Sequence, residues 1–581
     1  MPDKNLLLYG DNLDFLRDPA QFPAASVDLI YLDPPFNSNA TYNVLFKEMT
    51  GEPSAAQIKA FDDTWTWDAK AAEEEADLLA DAHTPSKLAS LITTLHGFLG
   101  PSAMLAYLVR MAIRLVHLRR VLKDTGSLYL HCDPTASHYL KLVLDAIFGP
   151  QHFLNEITWK RTHAHGSAKR FGPVHDTLFF YAASENYVWT SPLIPHDPSY
   201  IAKHFKHVDE KTKKRFQPIT LTGSGIRHGE SGKPWKGVNP SKVDRHWAIP
   251  GEIMDCYNLT GRTVQNRLDA LDDAGLIYWP KDGQGTPRLK WYADDLKGMA
   301  LPDVWSDVPP ISANAAERLG YPTQKPLELL KRIVLASSRP GDTILDPFCG
   351  CGTTIDAVET INREHPDNPA RRWIGIDITH LAINLIKYRL TRFDPPPAYK
   401  VQGEPVDEAG AEQLFKDQPY QFQYWACGLV GARPAGSSVS APKKGKRGAD
   451  RGIDGARYFV DDNTGPKTIL VQVKGGKAGA AEVRDFRGTI EREGAAMGIF
   501  VTLNEPTKPM RAEAASADVY RSPINTKVSV PRLQIVTIAQ LLNGGSPRQP
   551  TSVLLPPGTD FDRTFKRAER HDAGGLFAGP R

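Results

Sequence analysis

Residues 343–361 read TILDPFCGCGTTIDAVETI, an apolar run followed by a glycine-containing turn and a helical pattern. We expect a strand up to Leu345, a turn through Gly352 and then a helix. A second strand is predicted over 373–376, and Thr379 is placed to cap the helix that follows it. This alternation predicts an α/β fold with a doubly wound sheet.

The first third of the chain has the same pattern. Residues 6–9 and 27–32 predict buried parallel strands, and residues 126–130 predict another strand. Apolar residues recur at helical spacing over 102–122. Both ends of the segment 1–393 therefore predict parts of one sheet.

Residues 184–314 interrupt this alternation, because they are richer in Gly, Pro, Trp and charge. They predict an insertion on the sheet. Within it, residues 259–278 (LTGRTVQNRLDALDDAGLIY) have the spacing of a helix-turn-helix followed by a wing strand, a motif that reads DNA. A helical hairpin that only packs the insertion is the alternative.

Size and composition limit the class of protein. A chain of 581 residues predicts two or three folded units. The net charge is only +3, so a nucleic-acid surface must be local, as in the basic runs 203–215 and 443–447. Five cysteines without regular spacing, the lack of a membrane-spanning apolar run and the lack of an export pattern predict a cytoplasmic protein without membrane attachment.

Prolines mark the end of the first domain. Asp394-Pro-Pro-Pro397 is a stiff break at which a helix cannot continue. The predicted organisation is a first domain, a linker, a second domain and a poorly ordered tail, over residues 1–393, 394–410, 411–543 and 544–581.

Three acidic residues follow predicted strands, namely Asp33, Asp346 and Asp377. In an open α/β sheet, ligands bind at these strand ends. Gly350 and Gly352 permit close approach of the backbone to a ligand, and Asp377 is placed to accept from a ribose diol. The third glycine of a dinucleotide site is missing, and so is the Gly-Lys-Ser/Thr of a triphosphate site. S-adenosylmethionine is the candidate that fits.

Asp33-Pro34-Pro35-Phe36 supplies candidate catalytic groups. An exocyclic base amine is a poor nucleophile because its lone pair is delocalised. The Asp33 carboxylate and the Pro34 carbonyl can accept its two N–H groups, while Phe36 offers a stacking face for an extruded base. A helix-capping Asp-Pro turn is the alternative for an isolated tetrapeptide.

Taken together, these motifs resemble the amino-methyltransferases of DNA, and their order is similar to that of the beta class. The resemblance covers residues 1–393 and includes Gly10-Asp11-Asn12, the segment 155–159 and the segment 321–326. It implies a circularly permuted Rossmann-like sheet, a target-recognition insertion over 184–314, S-adenosylmethionine as cofactor and double-stranded DNA as partner. It leaves a homodimer open.

The resemblance also implies the roles of single residues. The catalytic set would be Asp33, Pro34, Pro35 and Phe36, and the cofactor would be held by Asp11, Asp346, Phe348, Gly350, Gly352 and Asp377. Lys325 and Thr323 would lie near the methionine end or only pack the preceding helix. Asp instead of Ser at the first tetrapeptide position favours N6 of adenine over N4 of cytosine. The absence of a Pro-Cys pair excludes methylation at cytosine C5.

The second domain carries another constellation. Asp454 precedes a predicted strand, and Gln472 and Lys474 share one face of the next strand. This resembles the Mrr-like branch of the PD-(D/E)xK nucleases, and implies that Asp454 and Gln472 hold Mg²⁺ with Lys474 assisting cleavage. A strand with alternating polar residues is the alternative. Gln421 and Gln423 stand where such folds often carry Glu, so weak or lost cleavage stays open.

Three functional hypotheses therefore compete. The leading hypothesis is an N6-adenine DNA methyltransferase fused to a restriction nuclease. The alternative is an N4-cytosine methyltransferase whose C-terminal domain binds DNA without cleaving it, and a DNA-binding module with both sites inactive is a third reading.

Overall fold

The computed structural model describes residues 4–35, 66–163, 171–257, 259–280, 285–296, 298–312, 315, 317–319, 321, 323–434, 452–461, 466–523, 527–550 and 553–554. Phe36 and the basic run 443–447 lie outside the described residues. The predicted tail 544–581 is described only over 544–550 and 553–554.

The N-terminal part of the chain alternates strands and helices. In chain order these are β1 (Asn5–Tyr9), α1 (Asn12–Arg17), β2 (Val27–Leu32), α2 (Ala69–Ala80), α3 (Ser86–Leu99), α4 (Ala103–Val121), β3 (Leu122–Cys132), α5 (Ser137–Phe148), β4 (Phe153–Lys160) and β5 (His175–Ala182). Ser102 caps α4, since its side chain accepts a hydrogen bond from the backbone N–H of Leu105. The predicted strands and helix of this region are confirmed.

Residues 191–302 form a compact unit of their own. Its elements are β6 (Leu193–Ile194), α6 (Pro198–His204), β7 (His207–Val208), β8 (Arg215–Thr220), β9 (Thr222–Ser224), β10 (Arg245–Trp247), α7 (Gly251–Cys256), α8 (Val264–Asp273), β11 (Ile277–Tyr278), β12 (Arg288–Tyr292) and β13 (Met299–Ala300). Strands β11, β12, β8 and β7 form one sheet in that order.

The remaining described residues form the second compact unit. After residue 302 the chain continues with β14 (Val304–Trp305), α9 (Leu327–Ser337), β15 (Thr343–Asp346), α10 (Thr353–Glu364), β16 (Arg372–Asp377), α11 (His380–Leu390) and β17 (Tyr399–Gln402). Thr379 caps α11 by accepting from the backbone N–H of Ala382. The two strand–helix pairs predicted here are confirmed.

Strands β1–β5 and strands β14–β17, from the two sides of the unit 191–302 in sequence, meet in one nine-stranded sheet. Its order is β14-β4-β5-β3-β2-β15-β16-β1-β17. The sheet is mixed, because β5 runs antiparallel to β3 and β4. Strand β2 is buried along its whole length, as expected of a strand covered on both faces. It lies parallel to β15, so two segments about three hundred residues apart in sequence end side by side.

The C-terminal part builds a second sheet within the same compact unit. Its elements are α12 (Glu408–Asp417), α13 (Pro419–Leu429), β18 (Arg433–Pro434), β19 (Gly455–Val460), β20 (Pro466–Lys474), α14 (Ala480–Arg492), β21 (Met497–Thr502), α15 (Lys508–Ala515), β22 (Val519–Arg521), β23 (Ser529–Pro531), β24 (Leu533–Thr537), α16 (Ile538–Leu542) and β25 (Val553–Leu554). The order β18-β19-β20-β21-β24 places β20 in the centre, and β25 pairs with β19.

Alternation along β20 divides its side chains between two hydrophobic clusters. Val471 and Val473 belong to one cluster with Phe459 and Trp425, whereas Leu470 belongs to another. Gln472 is therefore on the opposite face from the two valines, as predicted. None of the helices among the described residues is both long enough and apolar enough to span a bilayer.

Candidate active sites

The acidic residues predicted to share one sheet edge do so. Strands β2, β15 and β16 are neighbours, and Asp33, Asp346 and Asp377 lie at their carboxyl ends. Pairing of Leu29 with Ile344 fixes the register of the first two strands. Since all three strands are parallel, the three side chains converge on the same edge of the sheet.

Asp346 is buried and makes two hydrogen bonds. One carboxylate oxygen accepts from the backbone N–H of Phe348 at 3.1 Å and the other from the hydroxyl of Thr354 at 2.5 Å. Burial outweighs these bonds and, with the nearby charges of Asp33 and Asp377, raises the pKa of Asp346 to about 7. This carboxyl fixes the turn between β15 and α10 and titrates near neutrality.

Asp377 holds the glycine turn from the next strand. One of its oxygens accepts from the backbone N–H of Gly350 at 3.0 Å, and the other accepts from the N–H and hydroxyl of Thr379, each at 2.8 Å. Its enclosed position raises its pKa to about 6. Gly350 has φ +49°, and a Cβ there would lie 3.2 Å from the ring of Tyr321. The turn therefore requires glycine and presents bare backbone at the sheet edge.

Asp33 is paired with Lys325. The Lys325 ammonium donates to Oδ2 of Asp33 and, at 3.3 Å, to the carbonyl of Thr323. The lysine is only 9% exposed, so its charge sits inside the site rather than on the surface. Pro34 is buried and Pro35 half-buried directly after Asp33.

Asp11 has a different set of contacts from the other predicted cofactor ligands. It caps α1 through the N–H of Leu13 and forms an ion pair with Arg114 at 2.8 Å. Burial raises its pKa, but Arg114 and the N–H of Leu13 outweigh burial and the pKa is lowered. Next to it, Asn12 donates to the carbonyl of Pro347 at 2.7 Å and so ties α1 to the Asp346 turn. The carboxylate of Asp11 thus has a structural role in the positions described.

The C-terminal constellation is also brought together. Asp454 accepts from the side-chain amide of Gln423 at 2.7 Å with one oxygen, and from the N–H of Val473 at 2.6 Å with the other. Gln472 is 7% exposed, and its Oε1 has no hydrogen-bond partner among the described residues. Lys474 follows at the end of β20, half-buried. The described part of the chain contains no group of three or more His, Cys, Asp or Glu placed to hold a metal ion.

Comparison with known families completes the description of the first site. A family model described as DNA methylase matches residues 27–388, which include all three strand-end acids and the glycine turn. The chain belongs to this DNA methylase family.

Curated relatives of the chain include a subunit of a Type III restriction-modification enzyme, the StyLTI Mod subunit of Salmonella typhimurium, at 29% identity over 371 residues, 62% of this chain and 50% of that one. The chain is 34% identical over 285 residues to the Type II methyltransferase M.EcaI of Enterobacter cloacae, covering 49% of this chain and 57% of that one. It is 42% identical over 100 residues to the DNA adenine methyltransferase YhdJ of Escherichia coli, covering 17% and 30%. The chain spans about half the length of the curated relatives it matches.

A structural likeness accompanies these sequence matches. A DNA modification methylase structure from Thermus thermophilus, described as putative and as complexed with S-adenosyl-L-methionine, is 15% identical, with a TM-score of 0.30 over 68% of this chain and 97% of that one. At the other end of the DNA methylase, a model described as NACHT-associated inactive Restriction Endonuclease 1 matches residues 440–543. This match supports the expectation of a restriction-endonuclease-like domain. It does not show that the domain is Mrr-like.

Tyr31 and Asp176, two residues near the first candidate site, were missed in the sequence. Tyr31 and His131, on neighbouring strands β2 and β3, share a hydrogen bond of 3.0 Å, and His131 contacts Asp176 of β5 at 3.2 Å. All three side chains are buried, and Tyr31 interacts electrostatically with Asp33. Their positions in sequence are unrelated, and only the sheet order brings them together.

The insertion of the DNA methylase contains the elements of a winged helix. Helix α7, a turn and helix α8 are followed by the antiparallel pair β11–β12. The first of these helices lies upstream of Leu259, so the helix-turn-helix begins earlier than the range 259–278 predicted. Thr263 caps α8 by accepting from the N–H of Asn266, and Arg262 and Asn266 are exposed at its start. The N-terminal residues of a second helix are those that contact bases in this motif.

Proposed function

We propose that the chain is a DNA methyltransferase that transfers a methyl group from S-adenosylmethionine to N6 of adenine in duplex DNA. The observation that carries the proposal is the adjacency of Asp33 and the Asp346 glycine turn at the carboxyl ends of paired strands. A reacting amine bound at Asp33 would thus lie next to the cofactor pocket. The identity with the DNA adenine methyltransferase YhdJ supports adenine as the substrate.

The residues present fit the cofactor. S-adenosylmethionine supplies an electrophilic methyl group on a positively charged sulfur. Asp33 and Asp346 place negative charge at the edge where that cation would lie, and Gly350 leaves room for close approach. Asp377 can accept from hydroxyl groups in addition to fixing the turn, because a carboxylate has about four acceptor positions.

The roles of the catalytic residues follow from the chemistry of the amine. The Asp33 carboxylate and the Pro34 carbonyl accept the two N–H groups, which localises the nitrogen lone pair and aims it at the methyl group. Transfer would form the N–C bond as the methyl–sulfur bond breaks, with S-adenosylhomocysteine as the leaving group, and the proton lost from the nitrogen would pass to solvent. Pro35 stiffens the turn. Phe36, proposed as the stacking face, lies outside the described residues.

The permuted Rossmann-like arrangement is part of the proposal. The strand that carries Asp33 precedes the cofactor strand in sequence, and β1 lies on the far side of β16. The segment 191–302, with its winged helix, would select the DNA sequence, and residues 394–410 would join the two α/β domains.

Transfer of tritiated methyl groups to duplex DNA tests this function. We expect incorporation by the wild type and a loss of about 10²–10³-fold in Asp33→Asn, because a neutral amide accepts the N–H of the amine more weakly than a carboxylate does. Lys123→Met is the matched control, because it breaks a Lys–Asp pair with Asp28 at the opposite end of the same strand. Equal incorporation by wild type and Asp33→Asn would contradict the assignment.

We further propose that the C-terminal domain is a Mg²⁺-dependent nuclease, with Asp454 and Gln472 as ligands and Lys474 assisting. The specific observation is the buried, unpartnered Oε1 of Gln472, an oxygen suited to a hard cation. The hydrogen bonds that occupy both oxygens of Asp454 instead favour the alternative of a DNA-binding domain without cleavage. Metal binding would require Gln423 to move or to share this carboxylate.

Nicking of supercoiled, unmethylated plasmid DNA in MgCl₂ separates these two functions. A nuclease predicts nicking that is lost in Lys474→Ala and in EDTA, and unchanged in Lys477→Ala. The wild type could instead methylate this DNA without nicking it. Residues 411–543 would then be a DNA-binding domain that does not cleave.

A further inference from the structure

Lys325 is an unusual residue to find buried next to a reacting carboxylate. It directly precedes Pro326, the N-cap of α9, and is 9% exposed. Burying an ammonium group is costly unless it is paired. Its ammonium donates to Oδ2 of Asp33, so the charge of Lys325 is placed against the carboxylate on which methyl transfer would depend.

Several other titratable groups interact electrostatically with Asp33, namely Tyr31 of β2, Tyr107 of α4, Cys132 of β3, Tyr321 of the segment before α9, and Asp346 of β15. Asp377 and Asp176 interact in turn with Asp346 and Tyr31, and His131 hydrogen-bonds both Tyr31 and Asp176. Lys325 is the cation that bonds directly to the Asp33 carboxylate.

Geometry also limits how Asp33 can use its two oxygens. Oδ2 accepts from Lys325, which leaves Oδ1 to accept from a base amine. An ammonium bonded to one oxygen fixes the rotation of the carboxyl group. The backbone of Thr323 holds the ammonium in turn, because its carbonyl accepts at 3.3 Å.

We propose that Lys325 is a positioning residue for methyl transfer, which holds Asp33 as an oriented carboxylate with one oxygen directed to the target amine. This inference rests on the proposed function. It places Lys325 against Asp33, the residue that accepts from the amine. The family resemblance instead implied a position near the methionine end of the cofactor. Lys325 acts through Asp33 and makes no contact with the reacting methyl group in this assignment.

The rate of methyl transfer in the full-length protein tests this role. Single-turnover rates at saturating S-adenosylmethionine and duplex DNA are measured for wild type, Lys325→Met, Lys325→Arg and Lys123→Met. We expect the rate of Lys325→Met to fall by about 10²-fold, because Asp33 loses the contact that fixes the rotation of its carboxyl group. Lys325→Arg restores most of the wild-type rate, and Lys123→Met leaves the rate unchanged.

Cofactor affinity distinguishes this role from direct binding of the cofactor. Titration of intrinsic fluorescence should give a dissociation constant for S-adenosylmethionine in Lys325→Met within about threefold of wild type. A weakened affinity with an unchanged rate at saturation would overturn the proposal, and so would a Lys325→Met rate equal to that of the wild type. If Lys325→Met does not fold, Lys325→Gln is measured in its place and judged by the same two results.

Failure of the inference can be told apart from failure of the proposed function. If the wild type transfers no methyl group to DNA, the function itself is wrong. If the wild type is active and Asp33→Asn is inactive, the function stands and the Lys325 variants judge the inference alone.

Discussion

At the scale of single residues, the strand-end carboxyls differ in their surroundings and therefore in what pH does to them. Asp346 and Asp377 are enclosed, and burial raises their pKa values to about 7 and about 6. Asp33 instead forms an ion pair with Lys325. One edge of a sheet thus combines groups that titrate near neutrality with a carboxylate held by a cation.

These two pKa values predict how cofactor affinity depends on pH. A carboxyl with a raised pKa loses its charge as the pH falls through that value, so Asp346 and then Asp377 become neutral between about pH 7 and 6. If their charged forms bind S-adenosylmethionine, affinity falls by up to about tenfold per pH unit per group below these values. Calorimetric titration from pH 5 to 8.5 measures this, and Asp377→Asn should flatten the lower part of the curve. Constant affinity over that range would contradict the roles of both acids.

At the scale of elements, the turn between β15 and α10 depends on two glycines. Gly352 has φ +75°, and a Cβ there would lie 2.6 Å from the side chain of Ile386. Gly352→Ala should therefore lower the free energy of unfolding by about 1–3 kcal/mol through strain and overpacking. Gly97→Ala is the control, because Gly97 lies in α3 with no atom within 4 Å of the added Cβ, and alanine should stabilise that helix by about 0.5–1 kcal/mol. Urea unfolding measures both, and equal stability of the two variants would contradict this account of the turn.

Elements were the level at which the sequence was most informative. Val27–Leu32 and Thr343–Asp346 each contain a short apolar run followed directly by an Asp, so both strands and their acids could be predicted. The start of the winged helix was less certain, since the short helix Gly251–Cys256 has too few residues to show a clear period. The Lys325–Asp33 pair could not be predicted, because no local pattern specifies which ammonium reaches a carboxylate from a distant part of the chain.

At the scale of the whole molecule, the C-terminal domain packs against the methylase sheet through α11 and α13. Gln421 accepts from the N–H of His380 at 3.0 Å, and Asn384 donates to the carbonyl of Tyr424 at 3.0 Å. Both Gln421 and His380 are buried. Gln423, two residues further along α13, donates to Asp454, so one helix contacts both α11 and the C-terminal candidate site.

This contact predicts that the two domains share stability. Gln421→Ala leaves the buried N–H of His380 without an acceptor, at a cost of about 1–3 kcal/mol to the methylase part of the molecule. The control is Gln413→Ala on α12, whose side chain is exposed and hydrogen-bonds Asp417; it should change stability by less than about 0.5 kcal/mol. Denaturant unfolding followed by hydrogen exchange in α11 and β16 measures the effect. Unchanged protection there in Gln421→Ala would contradict a shared interface.

The central claim, methyl transfer to N6 of adenine, is tested most directly by nucleoside analysis. Unmethylated duplex DNA is incubated with the purified protein and S-adenosylmethionine, digested to nucleosides and examined by mass spectrometry. The account predicts N6-methyladenine, absent when Asp33→Asn replaces the wild type. N4-methylcytosine in its place would contradict the base assignment, and unmodified DNA would contradict the claim itself.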